Sequence, residues 1–141
     1  MKLSHLPLRI TTGAFILNSG LSKRKLDAQT AAVLHGMAAG AIPQLGRLEP
    51  EKFGTLLANS EIALGAALLL PFVPPALAGL GLTAFGAGLL QLYLKTPGMR
   101  EPGTLQPTQA GTGIAKDVWL VGVGLALVLD EMLDRDRHRD D

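Results

Sequence analysis

Apolar residues in this chain come in long runs with few interruptions. Across residues 53–94, between Lys52 and Lys95, the only charge is Glu61. A helix on the surface of a soluble protein shows a polar stripe at every turn. Neither 55–71 nor 75–94 carries such a stripe. A spanning helix needs an apolar run of about 20 residues. The two runs therefore predict a transmembrane hairpin, turned at Pro71, Pro74 and Pro75. The competing reading is a buried hairpin in a soluble core. A chain of 141 residues leaves too little other material to cover it.

A third run extends from 111 to 133. Its centre, 118–129, is uncharged, and Asp130 and Glu131 close it. Including 112–117 brings it to spanning length, with Lys116 and Asp117 in its first turns. The N-terminal run, 6–21, is apolar except for Arg9, Thr11, Thr12, Asn18 and Ser19. It has the outline of a signal peptide, but Arg9 breaks the apolar region and no A-x-A site follows, so it reads as a retained first helix. The predicted fold is all-α: a four-helix transmembrane bundle over residues 1–133. Its spans are at about 5–21, 54–71, 75–94 and 111–132, and an extra short helix lies in the first loop. That helix, 28–41, is alanine-rich and too short to span, and ends near Pro43. Residues 134–141 form a charged tail; Asp130 to Asp141 hold six acids and three arginines and read as a solvated end.

Composition narrows the function classes. Hydrophobic residues make up 48% and charged residues 18%, against roughly 25% charged in ordinary soluble domains. Disorder is excluded by this apolar content. There is no cysteine, which removes disulfides, thiolate metal sites and cysteine nucleophiles. A net charge of +1 provides no field for nucleic acid. His5, His35 and His138 are scattered and make no metal-ligand spacing, so no metal is expected, and the two in the body of the chain read as interfacial. No Walker loop, dinucleotide fingerprint or nucleophile elbow appears, and no catalytic residue is assigned. Ser22–Lys25 forms a basic collar after the first span. Gly36 and Gly40 form a GxxxG spacing, and Gly79, Gly81, Gly86, Gly88, Gly122, Gly124 and Ala126 offer small packing faces.

Ionisable groups inside spans are costly and mark function or a buried pair. Four qualify: Arg9, Glu61, Lys116 and Asp117. At about 1.5 Å of rise per residue, Glu61 lies about 10 Å in from the long-loop side and Lys116 and Asp117 about 8 Å. A Glu61–Lys116 ion pair, or a shared polar pocket with Asn59 and Ser60, fits those depths. Arg9 enters from the opposite side and reads as a pocket member or a snorkelling anchor. Trp119 and Tyr93 fall at the long-loop end, as belt aromatics or walls of a cavity.

The residues Leu8-Arg9-Ile10-x-x-Gly13-x-Phe15-Ile16-x-x-Gly20-x-x-Lys23, Asn59-Ser60-Glu61-Ile62-x-x-Gly65 and Ala115-Lys116-Asp117-Val118-Trp119-Leu120-x-Gly122 together resemble the DoxX-like integral membrane proteins. The resemblance runs from Leu8 to about Leu129. It implies a four-helix bundle in a bacterial plasma membrane. It also implies membership of a redox or oxidative-stress assembly, the family being named for a small subunit of a thiosulfate:quinone oxidoreductase. Arg9, Glu61, Lys116, Asp117 and Trp119 carry over as polar-pocket residues. Residues 26–53 fit no family pattern, and without cysteine any thiol exchange needs a partner.

The expected function is a small membrane subunit of such a redox-linked assembly, more a non-catalytic subunit than an enzyme alone. Its bundle would hold a hydrophobic ligand, a quinone being the candidate cofactor. The expected partners are the lipid bilayer, a membrane-associated oxidoreductase and a second copy of this chain. The alternatives are a non-catalytic membrane scaffold and a small transporter or lipid-handling protein.

Overall fold

A computed structural model describes residues 2–137. Among them the protein is all-α, with five helices of 14 to 21 residues. In chain order these are α1 (His5–Lys23), α2 (Ala28–Ala41), α3 (Pro50–Leu69), α4 (Pro75–Lys95) and, after the single turn α5 (Thr112–Ala115), α6 (Val118–Arg137). A 3-10 helix, Pro43–Arg47, links α2 to α3. A helix stands at each predicted span and at the predicted short helix. Prolines start α3 and α4, where the missing N–H costs nothing. Asp27 caps α2, accepting from the Thr30 backbone N–H at 2.9 Å and the Thr30 hydroxyl at 2.8 Å.

Two segments are long and apolar enough to cross a membrane, Pro75–Lys95 and Thr112–Asp134. Of the four expected spans, these two meet that length and apolarity among the described residues; α1 and α3 have the length but carry more polar residues. Few residues of the two candidate spans are fully buried within the protein. Only 28% of the one and 11% of the other is buried. Phe72, Leu77, Leu80, Trp119 and Leu129 are among the large side chains left exposed.

The helices pack chiefly as two pairs, α1 with α3 and α4 with α6. Small residues set both seams. A Cβ on Gly20 would lie 2.8 Å from the Ala58 carbonyl oxygen and the Ile62 nitrogen, and one on Gly65 would lie 2.5 Å from the Leu17 nitrogen. On the other seam, Gly79 would meet the Gly124 carbonyl and Gly86 would meet Val121. Such close backbone approach is how helices gain dispersion energy where apolar burial alone drives nothing. Of the glycines expected to pack, Gly88 and Gly122 face open space, as do Gly36 and Gly40 of the GxxxG spacing. Ile16, Leu68, Ala78, Leu82 and Leu127 form the core between the pairs.

The helical ends are fastened by polar groups. Helix α2 lies against α3 and α4, with Ala31, Ala38 and Ala41 buried and Gln91 donating to the Ala41 carbonyl at 3.0 Å. The loop after α4 is ordered, since the Tyr93 hydroxyl donates to the Leu105 carbonyl and a bridge joins Arg100 to Pro107. Gly98 and Gly103 supply its left-handed turns. The acids expected in a solvated tail instead hold the other end of the protein. Asp130 lies 2.7 Å from both the His5 Nε2 and the Lys2 Nζ, and Asp134 pairs with Lys2 at 2.6 Å. Glu131 accepts from the Ala76 N–H at the start of α4. Asp130, followed by Asp134, holds the Lys2 ammonium above its ordinary range. His5 is thus buried rather than interfacial, and His138 lies outside the described residues.

Candidate functional site

Glu61 is 4% exposed and charged, in the middle of α3. Its partner is Lys23, whose Nζ donates to Glu61 Oε2 at 3.0 Å. The same ammonium donates to the Ser19 hydroxyl at 2.6 Å, one turn earlier on α1. The expected Glu61–Lys116 pair does not form, and Lys116 is exposed. The reason lies in the α1–α3 seam. Gly20 carries no side chain where it meets Glu61 Cβ, so α1 comes close enough for Lys23, three residues on, to reach the carboxylate. Lys23 belongs to the last turn of α1 rather than to a collar beyond it, and there a cation also complements the helix dipole.

The pair opens on a cavity of about 210 Å³ among α1, α3, α4 and the α5–α6 junction. Ser19, Lys23, Glu61 and Asp117 supply its polar lining; Phe15, Ile16, Phe85, Leu89 and Leu120 supply apolar walls. Asp117 reaches it through a break in the helix. At Lys116–Asp117 the bonds tighten to the 3-10 pattern, with Asp117 N to Ile114 O at 3.0 Å and Leu120 N to Asp117 O at 3.0 Å. Such stretches inside helices often mark functional hinges. The Asp117 carboxylate is half-buried and has no hydrogen bond or ion pair among the described residues.

The other predicted members stand elsewhere. Arg9 is 1% exposed and makes four hydrogen bonds to carbonyls: Nε to Leu68 at 2.7 Å, Nη1 to Val73 at 3.0 Å, and Nη2 to Ala67 at 2.9 Å and Leu70 at 2.8 Å. These are the orphan carbonyls that end α3 and the turn after it. Arg9 is a structural clamp, neither a snorkelling anchor nor a pocket residue. Trp119 is 70% exposed and does not line this cavity. Asn59 and Ser60 are exposed, and Tyr93 is buried beneath its loop. The residues missed from sequence are Lys23 and Ser19. Their i, i+4 spacing on α1 was the one available signal.

Three hydrogens of an ammonium can donate. Two of Lys23's are used, by Ser19 and Glu61. The cavity therefore combines one remaining strong donor with two carboxylates, in an apolar wall. That set suits a small polar headgroup with acceptor oxygens. The volume lies below the roughly 300 Å³ lower bound of pockets for drug-sized ligands, so a single ring fits and a whole lipid does not. Among the described residues no cluster of metal ligands exists. Compared with known proteins, the chain matches no family model, no curated protein and no solved structure.

Proposed function

We propose that this chain is a four-span integral membrane protein of the DoxX-like kind, sited in a bacterial plasma membrane. In this reading it is a small non-catalytic subunit of a redox-linked assembly, and its pocket receives the headgroup of a hydrophobic ligand of the quinone type. The observation that carries the proposal is the buried Lys23–Glu61 pair opening, with Asp117, on a cavity walled by the long helices. A charged pair inside an apolar helical protein is costly and is retained where it has work to do.

Membrane insertion is supported by the outward apolar surface of α4 and α6. The greater polarity of α1 and α3 is compatible with spanning because their charges point inward. Arg9 is sunk among carbonyls and Glu61 is paired, while Ile10, Phe15, Leu56 and Leu69 face outward. The redox association rests on the sequence resemblance. The residues fit a quinone in kind: its ring oxygens accept hydrogen bonds, and Lys23 is the donor. A bound quinone supplies two-electron, two-proton carrier chemistry. This chain's part is to orient the ring by Lys23, with the carboxylates of Glu61 and Asp117 beside it.

The test is extraction of the protein purified in mild detergent, with the quinone content measured per chain. Wild type should retain quinone, and Glu61→Gln should retain about tenfold less, a loss typical of one charged contact. Equal retention by both, with folding shown by circular dichroism, overturns the ligand reading. A second reading, a scaffold that docks a partner helix, is favoured by one observation: Gly36 and Gly40 leave an open small-residue face on α2. In that case Gly40→Leu abolishes partner co-purification while Glu61→Gln preserves it.

A further inference from the structure

A second, larger depression of about 820 Å³ lies outside the pocket, between the end of α1, α2 and the start of α3. Its walls carry opposite charges. Lys23 and Arg24 stand on the α1 side, Glu49 and Glu51 at the start of α3, and the floor includes Ala31 and Ala58. Lys23 is spoken for by Glu61, and Glu49 pairs with Lys52 at 3.1 Å. Arg24 and Glu51 are left. Neither side chain makes an ion pair or a hydrogen bond among the described residues, although both line the same groove.

We infer that this groove binds the headgroup of a zwitterionic phospholipid, specifically one bearing a primary ammonium, as in phosphatidylethanolamine. The phosphate pairs with Arg24, whose planar fork suits it. The ammonium donates to Glu51. Three features favour this occupant. The two unpaired charges of opposite sign across one groove match a ligand that carries both. The volume falls within the roughly 300–1,000 Å³ of ligand pockets, enough for headgroup and glycerol. No aromatic side chain lines the groove, whereas quaternary ammonium groups are held in aromatic cages, so an N–H-bearing ammonium is the better match than choline. The groove also lies at the helix ends where, in a spanning bundle, headgroups lie. It goes beyond the quinone reading and does not use the inner pocket, although Lys23 lines both.

The test is native mass spectrometry of the detergent-purified full chain, titrated separately with phosphatidylethanolamine, phosphatidylcholine and phosphatidylglycerol. Wild type should bind phosphatidylethanolamine most tightly. Arg24→Gln and Glu51→Gln should each weaken it about fivefold, in keeping with about 1 kcal/mol for a partly exposed ion pair. Glu101→Gln, in the far loop, should leave it unchanged, and Arg24→Lys should recover part of the loss. Phosphatidylglycerol binding as tightly, with no effect of Glu51→Gln, would overturn the zwitterion assignment. Equal phosphatidylcholine binding would overturn the primary-ammonium assignment. Competition by soluble glycerophosphoethanolamine at the same concentration as the lipid would overturn a lipid occupant. Asp117→Asn, which lines the inner pocket and not this groove, separates the two proposals, since it should lower quinone content and leave phospholipid binding intact.

Discussion

Arg9 shows how a single side chain can close a helical hairpin. The Leu70 carbonyl also accepts from the Val73 N–H, but those of Ala67, Leu68 and Val73, at the end of α3 and in the turn after it, have Arg9 as their donor. Arg9→Met leaves them unsatisfied, and a loss on the order of 3 kcal/mol is expected, read as a lower Tm in detergent. Arg9→Lys should recover little, because one ammonium cannot reproduce the fork. At Lys23 and Glu61 the cost of charge is mutual. Lys23→Met strands a carboxylate that is almost fully buried, and should be more destabilising than Glu61→Gln. The double variant should be more stable than Lys23→Met alone; a double-mutant cycle in thermal unfolding checks this. Asp27 sets a pH dependence. The backbone N–H and then the hydroxyl of Thr30 hold its carboxyl below its ordinary range. A depressed folded value means that the cap's contribution is full above the unfolded value, about pH 4, and is lost as pH falls through the folded value. Protection of the amides in the first turn of α2, relative to their intrinsic exchange rate, should fall below about pH 4, and Asp27→Asn, which still caps, should remove that dependence.

At the level of elements, glycine decides how near two helices come and which side chains then meet. Gly20→Val would push a branched side chain into the Ala58 carbonyl and the Ile62 backbone nitrogen. Because backbone cannot move aside as a side chain can, a cost near the upper end of the overpacking range, about 3 kcal/mol, is expected. The same substitution at Gly36, where nothing lies within 4 Å, should be nearly silent in thermal unfolding. Separation of α1 from α3 would also part Lys23 from Glu61, so Gly20→Val should lower quinone retention although residue 20 does not itself line the pocket. The break at Lys116–Asp117 works in the same sense: it turns the last long helix so that Asp117 faces the cavity while Lys116 and Trp119 face outward.

The whole molecule presents apolar surface that no other described residue covers. Leu77 and Leu80 on α4, and Trp119, Leu125 and Leu129 on α6, are exposed together with Ile10 and Phe15 of α1. Exposed apolar surface on this scale marks contact with a membrane or a partner. After alkaline carbonate washing of cells expressing the chain, it should remain in the membrane pellet. Release into the supernatant would contradict the four-span proposal and make the same surface a protein interface.

Helices were legible because their signals are local. Apolar run length, the prolines at the starts of α3 and α4, and the Asp27 cap act within a few residues, so all five long helices fall where the pattern puts them. Glu61 was legible for a related reason, since a lone charge in a long apolar stretch stands out in one dimension. Its partner was not. Depth along a helix can be counted from sequence, but azimuth and interhelical distance cannot. Lys116 matched Glu61 in depth and yet faces away from it, while Lys23 reaches it because Gly20 lets α1 approach α3. Arg9 was read as a pocket residue because the carbonyls that bind it come from residues 67–73, brought near only by the hairpin. The acids after Asp130 read as solvated because Lys2 and His5 meet them only when α1 and α6 lie side by side. Sequence alone determined which segments are helical and which charges are out of place in them. Tertiary structure decided which charges meet, because that depends on how two packed surfaces of side chains are turned toward each other.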